Sequence, residues 1–175
     1  MSDPLDRLRS LVRDVPDFPK PGVVFKDLTP AWADARCFAT IVDSIVDPHA
    51  GDRIDKVLGI EARGFILAAP AAYRLGAGFV PARKRGKLPW QTNTVTYELE
   101  YGSESLELHQ DAVGAGDRVL IVDDVLATGG TAAAAVSLVT GSGAEVAGFS
   151  FVLELGFLSG REKLPGLDIH TLLTY

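Results

Sequence analysis

The stretch V-L-I-V-D-D-V-L-A-T-G-G-T, residues 119–131, decides how this 175-residue chain is read. Val119 to Val122 form an uninterrupted apolar run, the mark of a strand buried on both faces of a parallel sheet. Asp123 and Asp124 follow, where that strand is expected to end. Ala127-Thr128-Gly129-Gly130-Thr131 then turns directly into T-A-A-A-A-V-S-L-V (131–139), a helix by alanine propensity. In open α/β sheets ligands sit beyond the carboxyl ends of the strands. A loop entering a helix there offers unpaired backbone N–H groups and the positive end of the helix dipole, which together favour a phosphate. Gly129 and Gly130 allow close backbone approach without a Cβ, and Thr128 and Thr131 add hydroxyl donors.

Phosphate alone does not account for two acids beside that cradle. Bare carboxylates repel phosphate, so Asp123 and Asp124 must face vicinal hydroxyls, a divalent cation, or both. A sugar phosphate meets the demand. An isolated Asp-Asp pair would read as a turn cap, but here strand, acids, T-G-G-T and helix fall in register. Competing phosphate motifs fail: there is no G-x-x-x-x-G-K-[ST], and Gly114-Ala115-Gly116 precedes a strand instead of following one.

Outward from this segment, K-V-L-G-I-E (56–61) reads as another buried strand, with a turn at Ala62-Arg63-Gly64 and a helix to about Leu75. G-F-V-P-A (78–82), Glu145 to Leu153 and Ile169 to Leu173 supply further strands. T-V-T-Y-E-L (94–99) and S-L-E-L-H-Q (105–110) alternate and pair as a hairpin, while 83–93 reads as a basic loop. Leu5, Leu8, Leu11 and Val15 mark a short amphipathic helix with Asp3 as N-cap. V-P-D-F-P-K-P-G (15–22) is too proline-rich for helix, and a second helix starts at Thr29-Pro30 and continues to Val46. Strands alternating with helices predict an α/β fold, a mostly parallel sheet covered on both faces.

Composition bounds the function. The length predicts one domain over 1–175. A net charge of −6 argues against a general nucleic-acid binder, and no apolar run is long enough to span a membrane. The N-terminus mixes arginines with aspartates and shows no export signal, so a cytoplasmic protein is expected. Cys37 stands alone, which fits a reducing compartment. His49, His109 and His170 lack zinc-like spacing and read as surface or structural; Trp32 and Trp90 read as packing residues.

Residues 119–131 resemble the 5-phosphoribosyl-1-pyrophosphate (PRPP) signature of the type I phosphoribosyltransferases. F-P-K-P-G-V-V-F-K-D (18–27), G-I-E-A-R-G-F (59–65), R-K-R-G-K-L-P (83–89), L-E-Y-G (99–102) and G-R-E-K-L (160–164) extend the likeness to the adenine-using branch across almost the whole chain. The resemblance implies a flexible antiparallel flap (83–110) and a small N-terminal hood (1–34) on the central sheet. It implies transfer of ribose 5-phosphate from PRPP to adenine, giving AMP and pyrophosphate in purine salvage. Mg²⁺ would be held mainly by the donor, with no direct protein ligand, and the active form would be a homodimer.

Residue by residue, the resemblance gives PRPP and AMP binding to Asp123, Asp124, Ala127, Thr128, Gly129, Gly130 and Thr131. Arg63, Arg83, Lys84 and Lys87 would hold pyrophosphate; Val24, Phe25, Lys26 and Val125 would hold adenine. Glu100 would be the catalytic acid/base, with Tyr101 closing beside it on the flap. Lys26 departs from the family's usual Arg and loses its planar fork. Two rival readings are a phosphoribosyltransferase for another base (hypoxanthine, guanine, xanthine or orotate) and a non-catalytic PRPP-sensing regulator.

Overall fold

The computed structural model describes residues 4–98 and 102–175, which fall into two compact units, residues 1–44 and 45–175. The first unit holds α1 (Pro4–Leu11), β1 (Arg13–Pro16), β2 (Val24–Asp27), α2 (Thr29–Ala33) and most of α3 (Ala35–Val46). The expected first helix stops short of Val15. Arg13–Pro16 pairs antiparallel with Val24–Asp27, Val15 opposite Phe25, and the proline-rich segment forms the bend between them. The second expected helix is broken at Asp34, whose backbone is extended. The Asp34 carboxylate accepts the Cys37 N–H at 2.9 Å, so this residue caps a new helix where an uninterrupted one was expected.

The second unit is built on a seven-stranded sheet. Its elements are β3 (Lys56–Ile60), α4 (Gly64–Leu75), β4 (Gly78–Lys84), β5 (Thr92–Glu98), β6 (Ser103–His109), β7 (Arg118–Leu126), α5 (Gly130–Gly141), β8 (Glu145–Glu154) and β9 (Ile169–Thr174). The strand order is β5-β6-β4-β3-β7-β8-β9; β4, β3, β7, β8 and β9 run parallel, and β6 joins β4 and β5 antiparallel. Val57, Leu58, Val119, Leu120, Ile121 and Val122 are inaccessible to solvent, as central parallel strands require. Phe149 and Phe151 stack on one face of β8 with ring centroids 5.5 Å apart. Each contributes roughly 2–3 kcal/mol of burial.

The hairpin strands start two residues earlier than expected, and two further differences bear on the site. The acid pair does not follow β7 but lies within it, because the longer β8 continues the ladder, pairing Asp123 with Phe151 and Val125 with Leu153. Arg83 and Lys84, expected in a loop, end β4, where β6 pairs Glu107 and Leu106 against them. Trp90 is 64% exposed and so is not a packing residue.

His49 is structural. It is buried with Nε2 3.3 Å from Ser150 Oγ, and Nδ1 lies 3.5 Å from Asp52. Serine, histidine and aspartate stand in catalytic-triad order, but Ser150 is completely buried and no substrate reaches it. No helix among the described residues is long and apolar enough to cross a membrane.

Candidate active site

Three neighbouring parallel strands end at one edge of the sheet. β4 delivers Arg83 and Lys84, β3 delivers Glu61 to Arg63, and β7 delivers the acid pair and the loop after it. The order reverses at β3, with β4 on one side and β7 on the other, which is where α/β sheets open a crevice.

The loop closes around a small pocket that is open to solvent. Asp123, Val125, Ala127, Thr128, Gly129, Gly130 and Thr131 all line it, so most of the residues singled out in this segment converge. Leu126, Ala132 and Phe151 complete the wall; their plain apolar character gave no signal in the sequence. The first helical hydrogen bond of α5 runs from Ala133 N–H to Gly129 C=O at 2.9 Å. The N–H groups of Gly130, Thr131 and Ala132 therefore precede the ladder and suit an anion.

Glycines shape this edge by close approach. A Cβ on Gly129, whose φ is +77°, would stand 2.3 Å from the Gly160 carbonyl oxygen, and a Cβ on Gly160 would stand 2.2 Å from that of Ala127. Two glycines thus let the G-R-E-K-L segment buttress the loop backbone to backbone. Arg161 anchors that segment, donating to both carboxylate oxygens of the nearly buried Glu154 at 2.7–2.9 Å. On the other side, a Cβ on Gly64 would sit 2.8 Å from Val122 O and 2.9 Å from Asp123 Oδ1, so only glycine lets α4 start against this part of β7.

The acids differ in their surroundings. Asp124 is buried and paired with Arg63, Nε to Oδ2 at 2.8 Å, while Asp123 borders the pocket and accepts the Asp124 N–H at 2.9 Å. Burial, and then the neighbouring Asp124 charge, push the Asp123 carboxyl well above the ordinary aspartate range. Burial also raises Asp124, against the opposing pull of Arg63. Arg63 itself follows a cis Glu61–Ala62 peptide.

The basic run is held by carboxylates that sequence reading passed over. Glu61 accepts Arg83 Nε at 3.2 Å and the Lys84 N–H at 2.9 Å; Glu104 accepts Lys84 Nζ at 2.8 Å; Glu107 accepts the Gly86 N–H at 2.9 Å. Arg83 also donates to the Lys87 carbonyl at 3.1 Å, which folds the run on itself. Burial works against ionisation of Glu61, but the Lys84 N–H and the Arg83 guanidinium outweigh it and leave its carboxyl below the usual range.

In the first unit, Phe25 meets Phe18 edge to face at 5.2 Å, and Lys26 Nζ is bound to Asp14 at 2.7 Å. Val24 is half exposed. Glu100 and Tyr101 lie outside the described residues. Among the described residues no three His, Cys, Asp or Glu side chains gather as a metal site.

The phosphoribosyl transferase domain model matches residues 35–157, most of the chain. The chain belongs to the phosphoribosyltransferase family. It is 57% identical over 98% of its length to the adenine phosphoribosyltransferase of Anaeromyxobacter dehalogenans, of which it covers 99%. The crystal structure of adenine phosphoribosyltransferase from Thermoanaerobacter pseudethanolicus superposes with a TM-score of 0.95 at 50% identity, covering 98% of this chain and 99% of that one. That of Saccharomyces cerevisiae, complexed with an imino-altritol bisphosphate and adenine, gives 0.92 at 40% identity over 97% and 98%. The mostly parallel sheet with its antiparallel extension is the family's type I fold. For a phosphoribosyltransferase, a phosphate loop and a cation run at one sheet edge suit the two ends of a phosphorylated sugar pyrophosphate.

Proposed function

We infer that this phosphoribosyltransferase transfers ribose 5-phosphate from PRPP to adenine, releasing pyrophosphate and forming AMP for purine salvage. The observation that carries the reading is full-length identity above one half to an adenine phosphoribosyltransferase, joined to a glycine-built loop with an acid pair at its edge. The loop 127–131 takes the donor's 5-phosphate through backbone N–H groups and the Thr128 and Thr131 hydroxyls. Asp123 and Asp124 accept the ribose hydroxyls. Arg63, Arg83, Lys84 and Lys87 face the pyrophosphate and stabilise the charge it gains.

The anomeric C–O bond breaks with its electron pair passing to pyrophosphate, through an oxocarbenium-like state. An adenine ring nitrogen forms the new C–N bond from the opposite face, and Glu100 takes the proton that this nitrogen sheds. Tyr101 closes beside it. Val24, Phe25, Lys26 and Val125 are assigned to adenine on the family resemblance. Mg²⁺ is assigned to the donor's own oxygens on the family resemblance. Such an ion would neutralise pyrophosphate charge. The exposed Ile66, Tyr73 and Phe79 suit a homodimer, and the lone, buried Cys37 suits the cytoplasm.

The test is AMP formation from PRPP with adenine against hypoxanthine, guanine, xanthine and orotate. We expect kcat/KM for adenine to lead by about a hundredfold or more, as sites built on hydrogen-bond readout allow. Preference for an oxopurine would overturn the acceptor assignment. Pyrophosphate release that adenine does not accelerate would favour the regulator reading instead.

A further inference from the structure

Tyr97 carries none of the roles assigned above, yet it stands where two of them meet. It lies on β5, and its ring packs against the core of the second unit. Its ring edge is also 3.4 Å from the point a Cβ on Gly130 would occupy, so it lies directly against the phosphate loop. The Thr131 hydroxyl donates to Tyr97 Oη at 3.2 Å, and the Tyr97 hydroxyl donates to Glu104 Oε2 at 3.1 Å. The other oxygen of Glu104 accepts Lys84 Nζ at 2.8 Å. One continuous polar path therefore runs from the phosphate loop to the cation run: Thr131, Tyr97, Glu104, Lys84.

We propose that Tyr97 is a positioning residue which fixes the two ends of the donor site relative to each other, Thr131 at the phosphate and Lys84 at the pyrophosphate. The proposal rests on the reading that one PRPP spans both ends. A tyrosine suits the task for a physical reason. Its hydroxyl has one proton to give and lone pairs to accept another, and it rides on a rigid ring with only two side-chain torsions. Thr131 and Glu104 are short of reach and would otherwise choose their rotamers independently. Tied to one hydroxyl, they are preorganised, so less ordering remains to be done when the donor binds.

The experiment uses the full chain and three probes: PRPP in initial-rate assays, and ribose 5-phosphate and inorganic pyrophosphate as separate inhibitors. Tyr97→Phe keeps the ring and deletes the hydroxyl. We expect KM for PRPP to rise roughly three- to tenfold, the scale of one lost hydrogen bond, with kcat within about twofold. Inhibition by ribose 5-phosphate and by pyrophosphate should both weaken. A merely structural role would lower the active fraction, and hence kcat, without moving KM.

The second variant, Glu104→Ala, removes the middle of the path without touching the loop. It should weaken inhibition by ribose 5-phosphate about twofold or more at the far end. If Glu104→Ala leaves ribose 5-phosphate inhibition unchanged, or Tyr97→Phe weakens only one inhibitor, the link is refuted. A wild-type chain without adenine-dependent pyrophosphate release would instead sink the functional reading. An active wild type with unaffected variants sinks this inference alone.

Discussion

The loop at 127–131 and the cation run at 83–87, both assigned to anionic groups in the proposed function, are built by opposite means. The loop is backbone fitted to backbone: Gly129 and Gly160 approach so closely that neither tolerates a Cβ. The run is held by side-chain carboxylates, Glu61 on Arg83 and Glu104 on Lys84. A backbone cradle is set before ligand arrives and cannot change partners. Cations held by carboxylates are ordered but exchangeable, so on the proposed function an incoming pyrophosphate would compete for them. The difference predicts that damage to the loop is severe and damage to the run is graded.

The sharpest break should come from Gly129→Ala. The new methyl group meets the Gly160 carbonyl, and the positive φ adds strain for any L side chain. We expect kcat/KM for PRPP to fall by about a hundredfold or more, the cost of displacing binding groups by about an ångström. A crystal structure of the variant with an unmoved loop and full activity would contradict the backbone account.

Asp123→Asn sits next and separates function from stability. Removing the acid should lower kcat/KM by about ten- to a hundredfold, as expected for hydrogen bonds to a charged group. Stability should move the other way. The native carboxyl titrates above its unfolded range, so the native state binds more protons and stability falls as pH rises between the two values. The asparagine variant loses that slope, and near neutral pH its Tm should rise relative to the wild type. Thermal melts from pH 4 to 8 decide it; parallel curves for both proteins would refute the buried-charge argument.

The same contrast explains what the sequence made legible. The loop's geometry could be read because it is written in local order: apolar strand, acids, glycines, helix, all contiguous. The five-stranded parallel run could be read for the same reason, since buried strands are continuous apolar runs. The carboxylates under the cation run could not. Glu61, Glu104 and Glu107 lie on three different segments and meet the run only through sheet pairing. Gly160 likewise owes its importance to a contact 31 residues distant in the chain from Gly129. Asp34 misled for the converse reason: its capping bond ends one helix and starts another without disturbing the apolar period around it.

Arg161→Met tests whether the buttress behind the loop belongs with the loop or with the run. Arg161 makes a forked pair with Glu154, an arrangement stronger than a single contact. Its loss should destabilise the chain by about 1.5–3 kcal/mol, the range for charged hydrogen bonds. It should also raise KM for PRPP severalfold, because Gly160 is no longer held against the loop. A stability loss with an unchanged KM would show that the loop stands without its buttress.

Glu61→Gln should have the smallest effect and is the most informative about exchange. Gln keeps an oxygen for the Lys84 N–H and the Arg83 guanidinium but removes the negative charge that pyrophosphate must compete with. Two consequences oppose each other. Arg83 is less well ordered, which weakens binding; it is also less firmly engaged, which favours binding. The pair is partly exposed, so each contribution is about 1 kcal/mol or less, and KM for PRPP should change by less than about fivefold. The pH dependence gives the cleaner sign. Glu61 titrates below its unfolded range, so its contribution is complete above the ordinary glutamate pKa and is lost as pH falls through the lowered native value. Glu61→Gln should therefore match the wild type in acid and fall slightly behind it near neutrality. A hundredfold loss of donor affinity would mean that the run is as rigid as the loop, and the distinction between a preformed cradle and an exchangeable cation set would fail at its weakest-bound member.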